Sequence, residues 1–180
     1  HYMIWGPTIE QHDGRSLGCA NVSGGRQSTA HLLSLGRKRI AFLGDNGPGF
    51  PEFRARYFGY EAALKTSGIE PDPALQRDAE ISENAGYIAV QSLVLGGADF
   101  DGIVTCSDLI AIGALRALQE LGRRVPEDVG LVGFDDIPAA SYVNPGLTTI
   151  RQDTQRAGAL LVDNLIGLIH ERSVASALIV

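Results

Sequence analysis

The chain has 180 residues, 44% of them hydrophobic and 20% charged, with a net charge of −6. That balance suits an ordinary globular fold of one domain or two small lobes, and no apolar run approaches the roughly 18 residues of a membrane span. The acidic charge argues against this piece holding nucleic acid alone, since phosphate binding needs a basic face. Cys19 and Cys106 lie far apart in apolar surroundings, the pattern of reduced core thiols rather than a disulfide.

The first predicted strand is Tyr2–Trp5, followed by a Gly6-Pro7 turn and a polar loop to Ser16. Leu17–Ala20 form a second strand, and Ser23 caps a helix running to about Leu35, with Gly36 as its stop. Arg39–Leu43 (RIAFL) form a strand ending in the loop GDNGPG. A helix over Pro51–Ser67 ends at Gly68, a weaker strand spans Leu75–Ile81, and Ser82 caps a helix over 83–95. Gly102–Cys106 form the next strand, and Ser107 caps a helix from Asp108 to about Leu121.

The stretch RRVPEDVGLVGFDD (123–136) then reads as a turn at Pro126, a buried strand Val129–Phe134 and two carboxylates at its tip. A short helix near 137–142 leads into a strand Leu147–Arg151. A last helix runs from about Asp153 to His170, and Ala177–Val180 form a terminal strand. Strands alternating with helices define a parallel α/β sheet wound on both faces. Opening and closing inside strand-like runs, the sequence is expected to be a piece of a longer protein.

In open parallel sheets ligands bind beyond the carboxyl ends of the strands. That rule gives Trp5, Asn21, Asp45-Asn46, Ile81-Ser82, Ser107-Asp108 and Asp135-Asp136 as candidates. Carboxylates, amides and one indole suit a polyhydroxylated ligand. Plainer roles compete: Ser82 and Ser107 as helix caps, Trp5 as core, Asp136 as a cap of the next helix, Asp108 as a partner of its helix dipole. GDNGPG lacks both the dinucleotide glycine spacing and a Walker lysine, so it reads as a mobile pocket-edge loop. The four histidines lack metal-ligand spacing, and His31, beside Leu32 and Leu33, is expected to be packed. No nucleophile elbow or ordered triad supports catalysis; no enzyme activity, metal or cofactor is expected.

Four segments carry a family resemblance: TAHLLSLGRKRIAFLG (29–44), RYFGYEAAL (56–64), TCSDLIAIGALRALQELGRRVPEDVGLVGFDD (105–136) and GFDDIPAASYVNPGLTTIRQD (133–153). Together they resemble the lactose-repressor (LacI/GalR) family of bacterial transcription regulators across nearly the whole chain. The resemblance implies a type I periplasmic-binding-protein-like sensor of two lobes with the effector between them. It implies that 1–36 and 150–180 are the remnant of a truncated N-terminal lobe, that 37–149 are the C-terminal lobe, and that the helix-turn-helix DNA-binding domain is absent from this chain.

By that resemblance Arg56 is the effector-binding arginine and Asp135 the carboxylate facing it across the pocket. Ser107 replaces a usual Asn, Ile81 a frequent aromatic, and Ala20-Asn21 a common Asp-Asn pair, while Trp5 aligns with a ligand-facing position. Arg54 is the more solvated arginine of its helix. The implied function is sensing of a small-molecule effector, a carbohydrate or its derivative, in a cytoplasmic homodimer with no membrane role that meets operator DNA only through the missing domain. A secreted solute-binding protein of the same fold serving a transporter is the alternative. A signal peptide rather than a helix-turn-helix upstream would mark it.

Overall fold

The computed structural model describes residues 1–6, 15–170, 172, 174 and 177–179. They form two compact units, one of residues 1–20 and 152–180 and one of residues 21–151.

The larger unit holds a five-stranded sheet in the order β4-β3-β5-β6-β7, with every neighbouring pair parallel. Its strands are β3 (Ile40–Leu43), β4 (Gln76–Arg77), β5 (Gly102–Thr105), β6 (Gly130–Asp135) and β7 (Thr148–Arg151). The helices are α1 (Asn21–Ser34), α2 (Pro51–Thr66), α3 (Glu83–Leu95) and α4 (Asp108–Glu120). From β3 the chain goes outward to β4, then returns past β3 to β5. The β3/β5 boundary is therefore the topological switch at which such sheets bind ligands.

Helices cover both faces, as alternation along β6 shows. A Cβ on Gly130 would meet Leu32 of α1, whereas one on Gly133 would meet Asp108 of α4. The central strands have continuous runs of buried residues, IAFL in β3 and GIVT in β5, as strands covered on both faces require. Phe42 is fully buried with Tyr57 edge-on at 5.0 Å, and the Tyr60 hydroxyl donates to the Ile40 carbonyl at 2.7 Å. Burying a ring such as Phe42 contributes about 1.5–3 kcal/mol.

Two helix pairs cross at glycine. A Cβ on Gly25 would lie 2.0 Å from the Arg56 carbonyl oxygen, and one on Gly59 would lie 2.1 Å from that of Val22. The other pair matches: Gly86 would strike the Ile110 carbonyl at 2.0 Å and Gly113 that of Glu83 at 1.7 Å. Only a residue without a side chain lets the backbones approach this closely.

The smaller unit has a parallel sheet in the order β1-β2-β8, from β1 (Ile4–Trp5), β2 (Ser16–Cys19) and β8 (Ala177–Ile179), with α5 (Thr154–Ile169) against β2. Asp153 caps α5 by accepting from the Arg156 N–H at 2.9 Å. Among the described residues no helix is long and apolar enough to cross a membrane.

Several expectations change. Most of the polar loop before Ser16 lies outside the described residues. Helix α1 starts at Asn21, and Ser23 is not its cap; its hydroxyl accepts from Gln27 at 3.0 Å instead. Because α1 crosses α2, it belongs with residues 21–151, so the division falls after Ala20 and after Arg151 rather than near 36 and 150. The expected strand 75–81 shrinks to Gln76–Arg77, which pair with Phe42 and Leu43. Past Leu43 the partner chain turns at Gly44, leaving no backbone to extend the ladder. His31 is exposed, not packed.

Candidate functional site

Arg56 sits on α2 and is 5% exposed, so its charge requires partners. Its Nε donates to Asn21 Oδ1 at 2.8 Å. One terminal nitrogen donates to the Cys106 carbonyl at the end of β5 and lies 3.7 Å from Asp135 Oδ1 at the end of β6. The guanidinium carbon stands 3.7 Å from the centroid of the Phe134 ring, within cation–π range. Asn21, Arg56 and Asp135 thus form one cluster at the switch point. Asp135 does not face Arg56 across an open space as expected; the two are in direct contact, on the same wall.

The tip bearing Asp135 is backbone-strained. Asp135 has φ 112° and Asp136 φ 59°, conformations uncommon for residues with a side chain. Two anchors hold the turn. Asp136 pairs with Arg151 at 2.5 Å; it does not cap the short helix Pro138–Ser141, whose cap position is Ile137 with no side-chain hydrogen bond. Asp108, fully buried at the head of α4, accepts from the Ile137 N–H at 2.9 Å and from the Thr149 hydroxyl at 2.6 Å. Burial pushes its carboxyl above the usual range, while the hydrogen bonds from Thr149, Ile137 and Asp136 pull it back. Asp108 therefore organises the tip, a role that reaches beyond the helix dipole.

Ser107 is 1% exposed, and its hydroxyl accepts from the Ile110 N–H at 3.3 Å; the structure gives it the cap. Ser82 caps α3 the same way, accepting from the Ala85 N–H at 3.1 Å. Ile81 stands 55% exposed between β4 and α3, and Trp5 belongs to the smaller unit, where it is 41% exposed. Neither joins the hydrogen-bonded cluster. Arg54 is the exposed arginine, lying over Phe58 at 5.4 Å. Cys106, whose carbonyl serves Arg56, has a buried thiol pushed far above its ordinary pKa by desolvation.

Beside the ends of β3 and β4 a groove of about 430 Å³ is lined by Asp45, Asp78, Glu80, Ser82, Asn84 and Ile88 among others. Among the described residues no group of three His, Cys, Asp or Glu could hold a metal ion. Sequence reasoning missed Phe134 as the platform under Arg56 and Asp108 as the anchor of the tip. Gly24 offered a signal for the first, since a Cβ there would meet the Phe134 ring at 2.5 Å. Gly133 offered one for the second.

A doubly wound parallel α/β unit with a buried arginine and its acceptors at the switch point is built as a binding domain. Residues 29–180 match the sequence profile of the periplasmic binding protein-like domain. The chain belongs to that family, in the form carried by LacI-family transcription regulators.

The regulator RegA of Clostridium saccharobutylicum is 37% identical over 154 residues, 86% of this chain and 46% of RegA. CelR of Thermobifida fusca is 38% identical over 152 residues, 82% of this chain and 44% of CelR. The solved CelR–cellobiose complex superposes with a TM-score of 0.90 at 30% identity, covering 98% of this chain and 55% of that one. A LacI-family regulator from Enterococcus faecium with bound ribose gives 0.84 at 28% identity, covering 96% of this chain and 63% of that one. The chain spans about half the length of the curated relatives it matches. These relatives are regulators of transcription, not enzymes.

Proposed function

We propose that this chain is the effector-sensing part of a LacI-type transcriptional regulator, and that its effector is a sugar or sugar derivative. The observation that carries the reading is Arg56, buried yet held by Asn21, the Cys106 carbonyl and Asp135. A guanidinium fixed in this way presents remaining donors, and the partly exposed carboxylate beside it presents acceptors. Adjacent sugar hydroxyls need that combination. Asn21 supports Arg56 from behind, and Ser107 sets the head of α4; Ile81 is an apolar surface available to a sugar ring. The cellobiose and ribose held by similar regulators agree with a carbohydrate.

In this reading residues 21–151 are the C-terminal sensor lobe, and residues 1–20 with 152–180 are part of the N-terminal lobe. The whole protein is a cytoplasmic homodimer that meets operator DNA through a helix-turn-helix domain outside this chain. The ligand acts by its differential affinity for two arrangements of the protein. The regulators among the relatives favour this over a transporter-feeding protein.

Titration calorimetry against a panel of sugars, polyols and nucleobases tests the proposal. Arg56→Ala and Asp135→Ala should each weaken the identified binder about tenfold to a hundredfold, the loss of one charge-assisted hydrogen bond. Unchanged affinity in both folded variants would remove the cluster from the binding site.

A further inference from the structure

Where a ligand would lie, the sheet edge is more acidic than the Arg56 cluster alone suggests. The groove at the ends of β3 and β4 is lined by three carboxylates, Asp45, Asp78 and Glu80, and by no Lys, Arg or His. On its Asp45 side it follows β3, the strand next to β5, at whose end the Cys106 carbonyl holds Arg56. Asp45 accepts from the Gly47 N–H at 2.7 Å and Asp78 from the Gln76 amide at 2.8 Å. Both donors are neutral and leave the negative charge in place.

Two of the cations near these strand ends are paired with carboxylates. Arg56 has Asp135 and Arg151 has Asp136. The Arg77 guanidinium donates to the Ala74 and Gln76 carbonyls and to the Ser92 hydroxyl, neutral acceptors that leave its single positive charge in place. The start of α3, which also lines the groove, offers about half a positive charge. Glu83 in its first turn opposes that, and Ser82 takes the Ala85 N–H. Three full negative charges outweigh the Arg77 cation and that helix end together.

We infer that this site takes an uncharged saccharide and rejects its phosphorylated form. The inference rests on the effector-binding role proposed above and narrows its ligand class. A phosphate monoester brings about 1.5 to 2 negative charges toward a carboxylate-lined wall. Like charges in a partly desolvated site repel strongly enough for a penalty of about tenfold to a hundredfold in Kd.

Calorimetry on the full chain decides it, with glucose, cellobiose and ribose set against glucose 1-phosphate, glucose 6-phosphate and ribose 5-phosphate. The two glucose esters place the charge at opposite ends of the ring, so one meets the groove in either orientation. A neutral sugar should bind at least about tenfold tighter than its esters. The double variant Asp45→Asn/Glu80→Gln should bring the ratio to within a few-fold. Esters binding as well as or better than the neutral sugars, or a ratio unmoved by the double variant, would overturn the inference and leave the sensing role intact. Binding that ignores Arg56→Ala and Asp135→Ala would overturn the role of the cluster itself. No binding by any probe would remove both.

Discussion

Removing the Asp108 carboxylate should destabilise the larger unit far more than neutralising it. Asp108 is fully buried, and its two oxygens accept from the Thr149 hydroxyl and the Ile137 N–H. Asp108→Ala orphans both donors. Each unsatisfied buried group costs about 1–3 kcal/mol. Thr149 and Ile137 are only half-buried, which places the total near the lower half, about 2–4 kcal/mol. Asp108→Asn keeps one oxygen for the Ile137 N–H, which can only donate, and turns its NH2 to the Thr149 hydroxyl, which can also accept; that variant should lose about 1 kcal/mol.

The pH dependence has a definite sign. Burial raises the Asp108 carboxyl above its ordinary 3.8, so within that window the folded protein binds more protons than the unfolded chain. The contribution is complete below the ordinary value and declines as pH rises through the folded value. Urea denaturation of the three proteins from pH 3 upward measures both effects. Equal losses in the Ala and Asn variants, or a wild-type advantage over Asn that grows across the window, would refute the assigned role.

At the helix crossings, Gly25→Ala and Gly113→Ala would push a methyl to 2.0 Å and 1.7 Å from a carbonyl oxygen of the facing helix. Each should cost about 2–4 kcal/mol. Gly158→Ala, with nothing within 4 Å of its Cβ, should instead gain about 0.5–1 kcal/mol, and thermal melts compare all three. The Cys106 thiol, buried and pushed up in pKa, should react with a thiol reagent only on unfolding; rapid labelling of the native protein at Cys106 would contradict that. Asp135→Gly relieves a φ of 112° and should be more stable than Asp135→Ala by about 1 kcal/mol or more. Equal denaturation midpoints would mean the tip is not strained.

Much of the fold was legible because its signals are local. Ser82 and Ser107 cap the helices expected of them, and Gly36, Gly68 and Gly122 stop helices at φ of 83°, 73° and 71°, where other residues would be strained. The resemblance named Arg56 and Asp135 together, but as residues facing across a pocket rather than in contact, and no spacing rule would have joined residues so far apart. What stayed hidden depends on non-local partners. The start of α1 at Asn21 carries no cap signal, because the residue before it, Ala20, has no side-chain acceptor. That α1 belongs with α2 follows from Gly25 and Gly59; each glycine is visible in the sequence, but not which helix it faces. Asp108 read as a helix-dipole residue because its donors, the Ile137 N–H and the Thr149 hydroxyl, arrive from just past β6 and from β7.

The adjacent acids of the Phe-Asp-Asp tip meet separate fates, and their strain makes that possible. With both residues at positive φ, the chain turns sharply enough to send Asp135 to Arg56 and Asp136 to Arg151. An extended tip would also point successive side chains apart, but it would carry the backbone away from Asp108, which holds the Ile137 N–H. Phe134, one residue earlier, lies under the guanidinium, so one short segment supplies the platform, the counter-charge and the turn. Arg56 is then immobilised before any ligand arrives. In the proposed sensing role, a sugar hydroxyl beside it would meet a donor whose ordering cost was already met in folding, and so would gain affinity from few contacts.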